Sequence, residues 1–537
     1  MKKIVIILMC CLTAYVLTAQ TGNTLLGNGA GVNLGSGGSL NVIIGFNSGL
    51  NSTNPLRSVF IGVDAGRSTT TGSGNNFIGN ASGQNNTSGR DNVFMGISSG
   101  SLNTTGRDNI FIGSDAGRTN TTGNGNTFLG GEVIEATAEA IFPQFDVLDR
   151  RAVGENNGTS SLNTYIGAGA GSANRAANGN TFVGYYAGGN AVEIGESTFV
   201  GAYAGFRTDG SIIQPRALRN NYFGFGAGNT NEAGSDNVAI GHDADFQIDG
   251  LADLFNMRNV LIGNSAEVEG ANDGVLIGFN GAIDGFADNS IGLGSEVNIA
   301  GENSTGIGFN ADIAAAADNA VGIGHQVDVN GLRATAIGSN TVVSGTNSTA
   351  IGYQASVAAN NEIFLGNSAI ASIGGVVNWT ATSDGRFKKN VQENVIGLDF
   401  INRLRPVTYN YDAKKLHAQK GFETESLADA LAQKEAMRYS GFIAQEVEAA
   451  AEQLGYDFSG VDAPQDKEDI YGLRYAEFVV PLVKAVQELS EENETKDQLI
   501  AQQAAELAVY KKLLSDLTAR VEALEVSENN SKVVAVK

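Results

Sequence analysis

A glycine returns every seventeen residues along the N-terminal part of this chain. Gly45, Gly62, Gly79, Gly96, Gly113 and Gly130 are each 17 apart, and the phase resumes at Gly167, Gly184 and Gly201 and again at Gly224 and Gly241. The neighbouring residues repeat as well: 58–66 read S-V-F-I-G-V-D-A-G, 75–83 read N-N-F-I-G-N-A-S-G and 109–117 read N-I-F-I-G-S-D-A-G. Farther along, Gly294, Gly308, Gly324, Gly338, Gly352 and Gly366 follow at intervals of 14 or 16. Such a period argues against one ordinary core and for a solenoid-like array, because one coil cannot bury its apolar face alone but stacked coils or neighbouring chains can. Each repeat supplies a short apolar strand, a glycine at a tight bend, small residues and then polar turn residues, with Asn and Gly expected at the positive-φ positions. At roughly 4.8 Å per coil, about nineteen coils make an array on the order of 90 Å long.

Three stretches interrupt the period: residues 131–162, 206–220 and 242–258. The first contains E-V-I-E-A-T-A-E-A-I-F-P-Q-F-D-V-L, more apolar than a solvent loop should be, and reads as an insertion loop, with packing on the array's flank or against a partner as the alternative. The Asn and Asp pairs of the coils lack the regular Asp placement of calcium-binding β-rolls: Asp64 and Asp115 are isolated, and Ala81 and Ser98 hold the equivalent positions. These pairs are therefore expected to be surface polar residues.

The later coils carry a second phrase, N-S-T-A-I-G-Y-Q-A at Asn347 to Ala355 and N-S-T-G-I-G-F-N-A at Asn303 to Ala311. It resembles the head repeats of trimeric bacterial adhesins of the YadA-like class. The resemblance covers residues 289–369 well and the 17-residue coils loosely, and it implies a left-handed parallel β-roll wound by three chains.

With 71 glycines and 6 prolines in 537 residues, ordered turns are favoured over a Pro-rich linker. The opening MKKIVIILMCCLTAYVLTAQ reads as a secretory signal, with Lys2 and Lys3, an apolar run from Ile4 and a small-residue exit at Ala19, after which cleavage is expected. Its apolar run falls short of the roughly 20 residues that span a bilayer. Both cysteines, Cys10 and Cys11, lie inside this segment, so the exported chain would hold no thiol and no disulfide. Removing Lys2 and Lys3 takes the net charge from −23 to −25, which disfavours nucleic acid and anionic membrane surfaces as partners. No His, Cys or carboxylate cluster has metal-ligand spacing, so neither metal nor cofactor is expected.

From Asp399 the texture changes. I-N-R-L-R-P-V-T-Y-N-Y-D reads as a helical turn, Pro406, and a strand with Val407, Tyr409 and Tyr411 on one side. Residues 427–437 read as an exposed helix, and 440–454 as a strand running into a helix. Beyond them Val486, Asn493, Ile500, Leu507, Leu514 and Val521 recur every seven residues, interleaved with Leu482, Leu489, Lys496, Gln503, Tyr510, Leu517 and Leu524. These a and d positions, sustained over about six heptads, argue for a coiled coil and hence an oligomer; spacing alone leaves dimer or trimer open.

Between the two textures lies T-S-D-G-R-F-K-K-N-V, Thr382 to Val391. A serine hydroxyl becomes a nucleophile when a neighbour takes its proton, and a lysine can do so only when burial or cationic neighbours lower its pKa, a pressure Arg386 and Lys389 are placed to supply. In one extended strand residues five apart face opposite sides, so Ser383 and Lys388 can meet only in a turn, which Gly385 permits. On these residues alone a solvated basic loop is the favoured reading.

Together with S-G-F-I-A-Q-E-V-E at 440–448 and Y-G-L-R-Y-A-E-F-V-V-P-L-V-K-A-V-Q-E-L at 471–489, the stretch resembles the S74 peptidase domain. That domain is the C-terminal intramolecular chaperone of phage tail spikes and fibres, found also in a membrane-tethered eukaryotic transcription factor. Its S-D-x-R-x-K signature falls on Ser383, Asp384, Arg386 and Lys388, and the likeness runs from Thr382 to about Leu524. It implies Ser383 as nucleophile, Lys388 as general base with Lys389 as rival, and self-cleavage between Thr382 and Ser383, or one bond later, after trimerisation.

The expected architecture is mostly β: a signal peptide (1–19), Gly/Asn-rich β-roll repeats (20–376), a small α+β chaperone domain (377–481), a coiled coil (482–526) and a disordered tail (527–537). The expected function is an exported homotrimeric fibre or adhesin-like structural protein, extracellular or on the cell surface, released from its chaperone by a Ser-Lys dyad in one turnover. A phage or prophage tail fibre is the alternative, against which the signal segment speaks. An autotransporter adhesin should end in barrel strands, unlike N-N-S-K-V-V-A-V-K, and a carbohydrate-active spike should carry paired carboxylates. Whether the fibre takes a host-surface or glycan ligand is left open.

Overall fold

The computed structural model describes residues 22–131, 152–175, 177–208, 218–231, 234–247, 256–285, 287–464 and 470–534. The expected signal peptide and the apolar insertion at 132–148 lie outside the described residues. The chain divides into two compact units, Met1–Asn367 and Ser368–Lys537.

The first unit is a parallel β-solenoid. One sheet of 20 strands runs through it, and a second of 8 strands joins it in the later coils. Each strand pairs in register with its counterpart one coil away, so Phe60 lies opposite Phe77 and Phe77 opposite Phe94. The middle residue of each strand points inward. Phe60, Phe77, Phe94, Phe111, Phe128, Tyr165, Phe182, Phe199 and Tyr222 are fully buried and form a continuous ring stack, with successive centroids 4.6 to 5.2 Å apart. The stack passes the first insertion intact: Phe128 and Tyr165 sit 4.7 Å apart.

Polar columns run beside it. Asn92 donates through Nδ2 to Asn75 Oδ1 at 3.0 Å and to the Gly106 carbonyl at 2.9 Å, and Asn109 repeats the pattern on Asn92. A second column links Asn86, Asn103, Asn120 and Asn157 side chain to side chain. All of these are fully buried, which corrects their reading as surface polar residues. An amide both donates and accepts, so a column of identical asparagines satisfies itself, and burial without such partners would be costly.

The periodic glycines are held by contact. Gly62 has φ +139°, and a Cβ on it would stand 2.3 Å from the Gly79 carbonyl oxygen of the next coil. Two residues after each glycine a left-handed position recurs, filled by Asp64, Ala81, Ser98 and Asp115 with φ of 53° to 55°. Backbone geometry therefore accounts for the two isolated aspartates.

The third interruption, 242–258, is in part a change of coil. The aromatic column ends at Ala239, and Phe246, on the first strand of the second sheet (Asp245–Gln247), tilts against Tyr222 instead. From there the first sheet turns inward Leu261, Leu276, Gly292 and Gly306, while the second supplies Val268, Ile283 and Ile299. Two facing sets of aliphatic residues and glycines thus replace one column of large rings.

The outward third position of the main-sheet strands is apolar at every one of its 20 strands. It starts Leu26, Ile44, Ile61, Ile78, Met95 and ends Ile323, Ile337, Ile351, Leu365, with Val183, Val200 and Phe223 among the rest. None of these side chains is buried in one chain, and an apolar stripe of that length marks a surface that is covered in use.

The second unit is a small α+β body with one long helix. Helix α1 (Leu398–Ile401) leads through Pro406 to strand Val407–Tyr409, which pairs antiparallel with Tyr439–Gly441 across α2 (Ala413–Gln419) and α3 (Ala428–Ala436). Then follow α4 (Ala444–Gln453), a short strand pair at Val461–Asp462 and Gly472–Leu473, and α5 (Val479–Val534). Phe400, Val447, Ala450, Ala451, Phe458 and Phe478 form the core. Both longer strands and the strand-to-helix passage occur where the sequence places them, whereas the helical turn lies earlier, at Leu398–Ile401, and the first strand stops at Tyr409, short of Tyr411; α3 buries only Leu431. Along α5 the heptad side chains Val486, Ile500, Leu507, Leu514 and Leu524 are all exposed, and the helix continues past residue 526 to Val534.

Two outcomes follow. Gly96→Ala, which places a Cβ 2.3 Å from the Gly113 carbonyl at φ +139°, lowers the urea midpoint of the solenoid by an amount equivalent to at least ~2 kcal/mol. Asp245 is half-buried, and burial pushes its pKa up to about 6 although the Thr230 amide and hydroxyl and the Phe246 amide donate to it. Because the folded state holds this proton more tightly than the unfolded one, the contribution is full below about pH 4 and is lost as pH rises through about 6, up to ~3 kcal/mol. Urea midpoints measured from pH 4 to 7 should fall for the wild type and flatten in Asp245→Asn.

Candidate active site

The second unit begins with an exposed segment that enters a single 3-10 turn, Gly385–Phe387. Asp384 caps this turn. Its Oδ1 accepts from the Arg386 amide at 2.9 Å, and its Oδ2 accepts from Arg386 Nε at 2.9 Å and Nη2 at 2.6 Å. The Phe387 and Lys388 amides donate to the Asp384 and Gly385 carbonyls, closing the turn, and Asn390 takes a left-handed φ of 55° just beyond. An Asp two residues before an arginine is suited to this double role, accepting from the backbone and from the guanidinium at once.

The turn reverses the chain so that residues five apart meet. Lys388 Nζ donates to Ser383 Oγ at 2.9 Å, and both residues are exposed. Thr382 is exposed on the preceding segment, and it is Lys388 rather than Lys389 that hydrogen-bonds the serine. Arg386, expected from the sequence to press positive charge on the lysine, instead has its charge matched by Asp384. That pair holds the Asp384 carboxyl below the usual carboxylate range and raises the Arg386 guanidinium. Gly385 is also less constrained than expected: it lies outside the left-handed region, and a Cβ there would meet nothing within 4 Å. Among the described residues no three His, Cys, Asp or Glu side chains stand close enough to share a metal ion.

Residues 383–456 match the family model of Peptidase S74, described as the chaperone of endosialidase. The matched span opens on Ser383 itself and ends at Tyr456, so the last strand pair and α5 fall outside it. Two copies of the YadA head domain repeat match at residues 330–355, in the solenoid's later coils. No curated protein matches the chain. The S74 match implies a self-cleaving peptidase domain, and the head repeats preceding it suggest a fibre or adhesin-type protein, extracellular or at a surface. Among the described residues no helix is long and apolar enough to cross a membrane.

Some parts of the surrounding domain carried no readable sign. Glu488 on α5 accepts from the Leu398 amide at 2.6 Å, capping α1 across ninety residues of chain. Gly397 lets the two helices approach, since a Cβ on it would stand 2.6 Å from the Ala485 amide. Arg405 pairs with Glu446 of α4. Only the helical signs of α1 and α5 were legible beforehand; their contact was not.

Asp384→Ala should unclamp the turn and slow self-cleavage by on the order of 10- to 100-fold through lost positioning, read as the half-time of fragment release on gels. Gly385→Ala, which meets open space, should cleave at the wild-type rate.

Proposed function

We propose that this chain is an exported trimeric fibre of adhesin type, whose C-terminal domain aligns three copies during folding and then severs itself by a Ser383–Lys388 dyad. The observation that carries the reading is the 2.9 Å hydrogen bond between Lys388 Nζ and Ser383 Oγ, formed at the first residues of a chaperone domain that follows a solenoid. Ser383 Oγ attacks the Thr382 carbonyl carbon while Lys388 takes the hydroxyl proton. The Thr382–Ser383 C–N bond breaks, the proton passes to the departing Ser383 amine, and Thr382 is left as an ester on Oγ. Water then opens the ester, leaving a Thr382 carboxylate and a new N-terminal serine.

Lysine accepts that proton only as a neutral amine, and water favours the ammonium. Both groups are exposed in one chain, so the chemistry requires a cover that a single copy lacks. Association would supply it. The outward stripe from Leu26 to Leu365 and the exposed heptads of α5 both support self-association, and three is the number implied by the likeness to S74 domains and YadA-like heads. Export rests on the signal-like residues 1–19.

Expressed full-length protein should release a C-terminal fragment of about 17 kDa, as expected for the residues from Ser383 onward. Intact-mass spectrometry should find its N-terminus at Ser383. Ser383→Ala and Lys388→Ala should both abolish release while the chain still assembles. Persistent cleavage in either variant would remove the dyad from the mechanism.

A further inference from the structure

We propose that the segment just before the cut is a docking strand, with Trp379 seated in an apolar cleft on the chaperone domain of a neighbouring copy. This assignment rests on the self-cleavage reading above and names the group that positions the scissile bond. Trp379 is the chain's single tryptophan, and it is 88 % exposed. Val376 and Val377 beside it are fully open to solvent, and Phe387 on the turn is 77 % exposed. Between residues 371 and 383 no backbone hydrogen bond to another backbone group is formed among the described residues. Exposed large apolar side chains on a backbone with unpaired N–H and C=O groups are what a strand awaiting a partner presents. In an extended strand Trp379, Ala381 and Ser383 share one face, so whatever grips the indole also sets the nucleophile.

The receiving feature lies on the same domain. Pro406, Val407, Ser440, Gly441, Phe442 and Tyr475 line a cleft of about 550 Å³ at the end of the antiparallel strand pair, in the size range of small-ligand pockets. Tyr475 accepts the Phe442 amide hydrogen bond at 3.1 Å, and its ring lies 6.3 Å from that of Phe442, giving two aromatic walls. The segment is leashed beside that strand pair: Lys434 Nζ donates to the Ile370 carbonyl at 2.6 Å and lies 5.1 Å from the Tyr439 ring. From Ile370 to Trp379 the chain can extend up to ~30 Å, so the strand is free to leave its own domain. In a single chain the strand and the dyad are both exposed. One docking step between copies buries the strand and shields the dyad from water, which ties cleavage to assembly.

The chain's only cysteines are Cys10 and Cys11, in the signal-like segment, so a new pair can be read cleanly. In a Ser383→Ala background, Trp379→Cys with Val407→Cys should give disulfide-linked oligomers on non-reducing gels. A monomer-sized species linked only within one chain, or no link at all, overturns the neighbour assignment. In Ser383→Ala protein the single-tryptophan emission should be blue-shifted and shielded from acrylamide, and Tyr475→Ala should reverse both; fully quenchable emission overturns docking. Trp379→Ser should slow cleavage on the order of 100-fold, with Trp379→Phe restoring it and the oligomeric state by light scattering unchanged in both. Wild-type cleavage rates in Trp379→Ser overturn the positioning role. An uncleaved wild type would strike at the dyad instead, and the cross-link and emission measurements, made on uncleavable protein, judge the strand independently of it.

Discussion

In the solenoid every side chain must be compatible with itself. Parallel strands in strict register set each residue against its own counterpart about 4.8 Å away, so a column can hold only groups that attract their own kind. Phenylalanine qualifies because rings stack, asparagine because an amide both donates and accepts, and glycine because two backbones can touch. Like charges are tolerated only at the rim, as where Asp312 lies opposite Asp328 and burial and mutual repulsion raise the Asp328 carboxyl. No lysine occurs between Lys3 and Lys388, and some columns pair opposite charges, as in Arg219 with Asp236 and Arg258 with Asp273. The odd composition of the repeats is the direct result of stacking, and Lys388 is the first ammonium group the chain meets when stacking ends.

Self-complementarity has a cost in specificity. The coils around Phe60, Phe77, Phe94 and Phe111 are so alike that sliding by one coil changes few contacts. Within one chain the change of coil at Ala239 and Phe246 breaks this degeneracy, because a column of rings cannot be exchanged for a pair of aliphatic faces. Between copies the outward stripe from Leu26 to Leu365 is too uniform to say which coil should meet which. On the proposed reading, that information has to come from elements that do not repeat. The C-terminal unit has them: the core around Phe400 and Phe458, the Glu488 cap on α1, and the polar Asn493, Lys496 and Gln503 among the heptads.

Much of this was legible because repetition amplifies weak signs. One glycine before a polar turn means little, whereas the series from Gly45 to Gly130 defines a solenoid, and the heptads of α5 are equally overdetermined. What stayed hidden was the role of residues whose type fits two environments. Asn75 and Asn92 read as surface polar residues because asparagine is usually exposed, and only three-dimensional stacking reveals that they are buried. The second sheet was masked because its first strand, Asp245–Gln247, falls in a stretch that merely breaks the period. At the site, the turn was inferable from the five-residue spacing, but Arg386 has two possible partners of opposite consequence. Which one it takes depends on the cap geometry at Asp384.

An exposed Ser-Lys pair is a poor catalyst and, for a self-cutting fibre, a safe one. On the proposed reading, a pair left open to water would stay idle, so an isolated chain would keep its chaperone. Burying the pair removes that hydration, and if only correctly aligned copies can do so, the chemistry reads out the assembly. The cleaved product would then, on the same reading, be protected by kinetics. Stacked parallel coils need in-register pairing along the whole array, and once the non-repeating unit has been cut away nothing covalently attached can restore that register. Unfolding becomes a one-way loss governed by its barrier, and the barrier grows with the number of coils that must separate together.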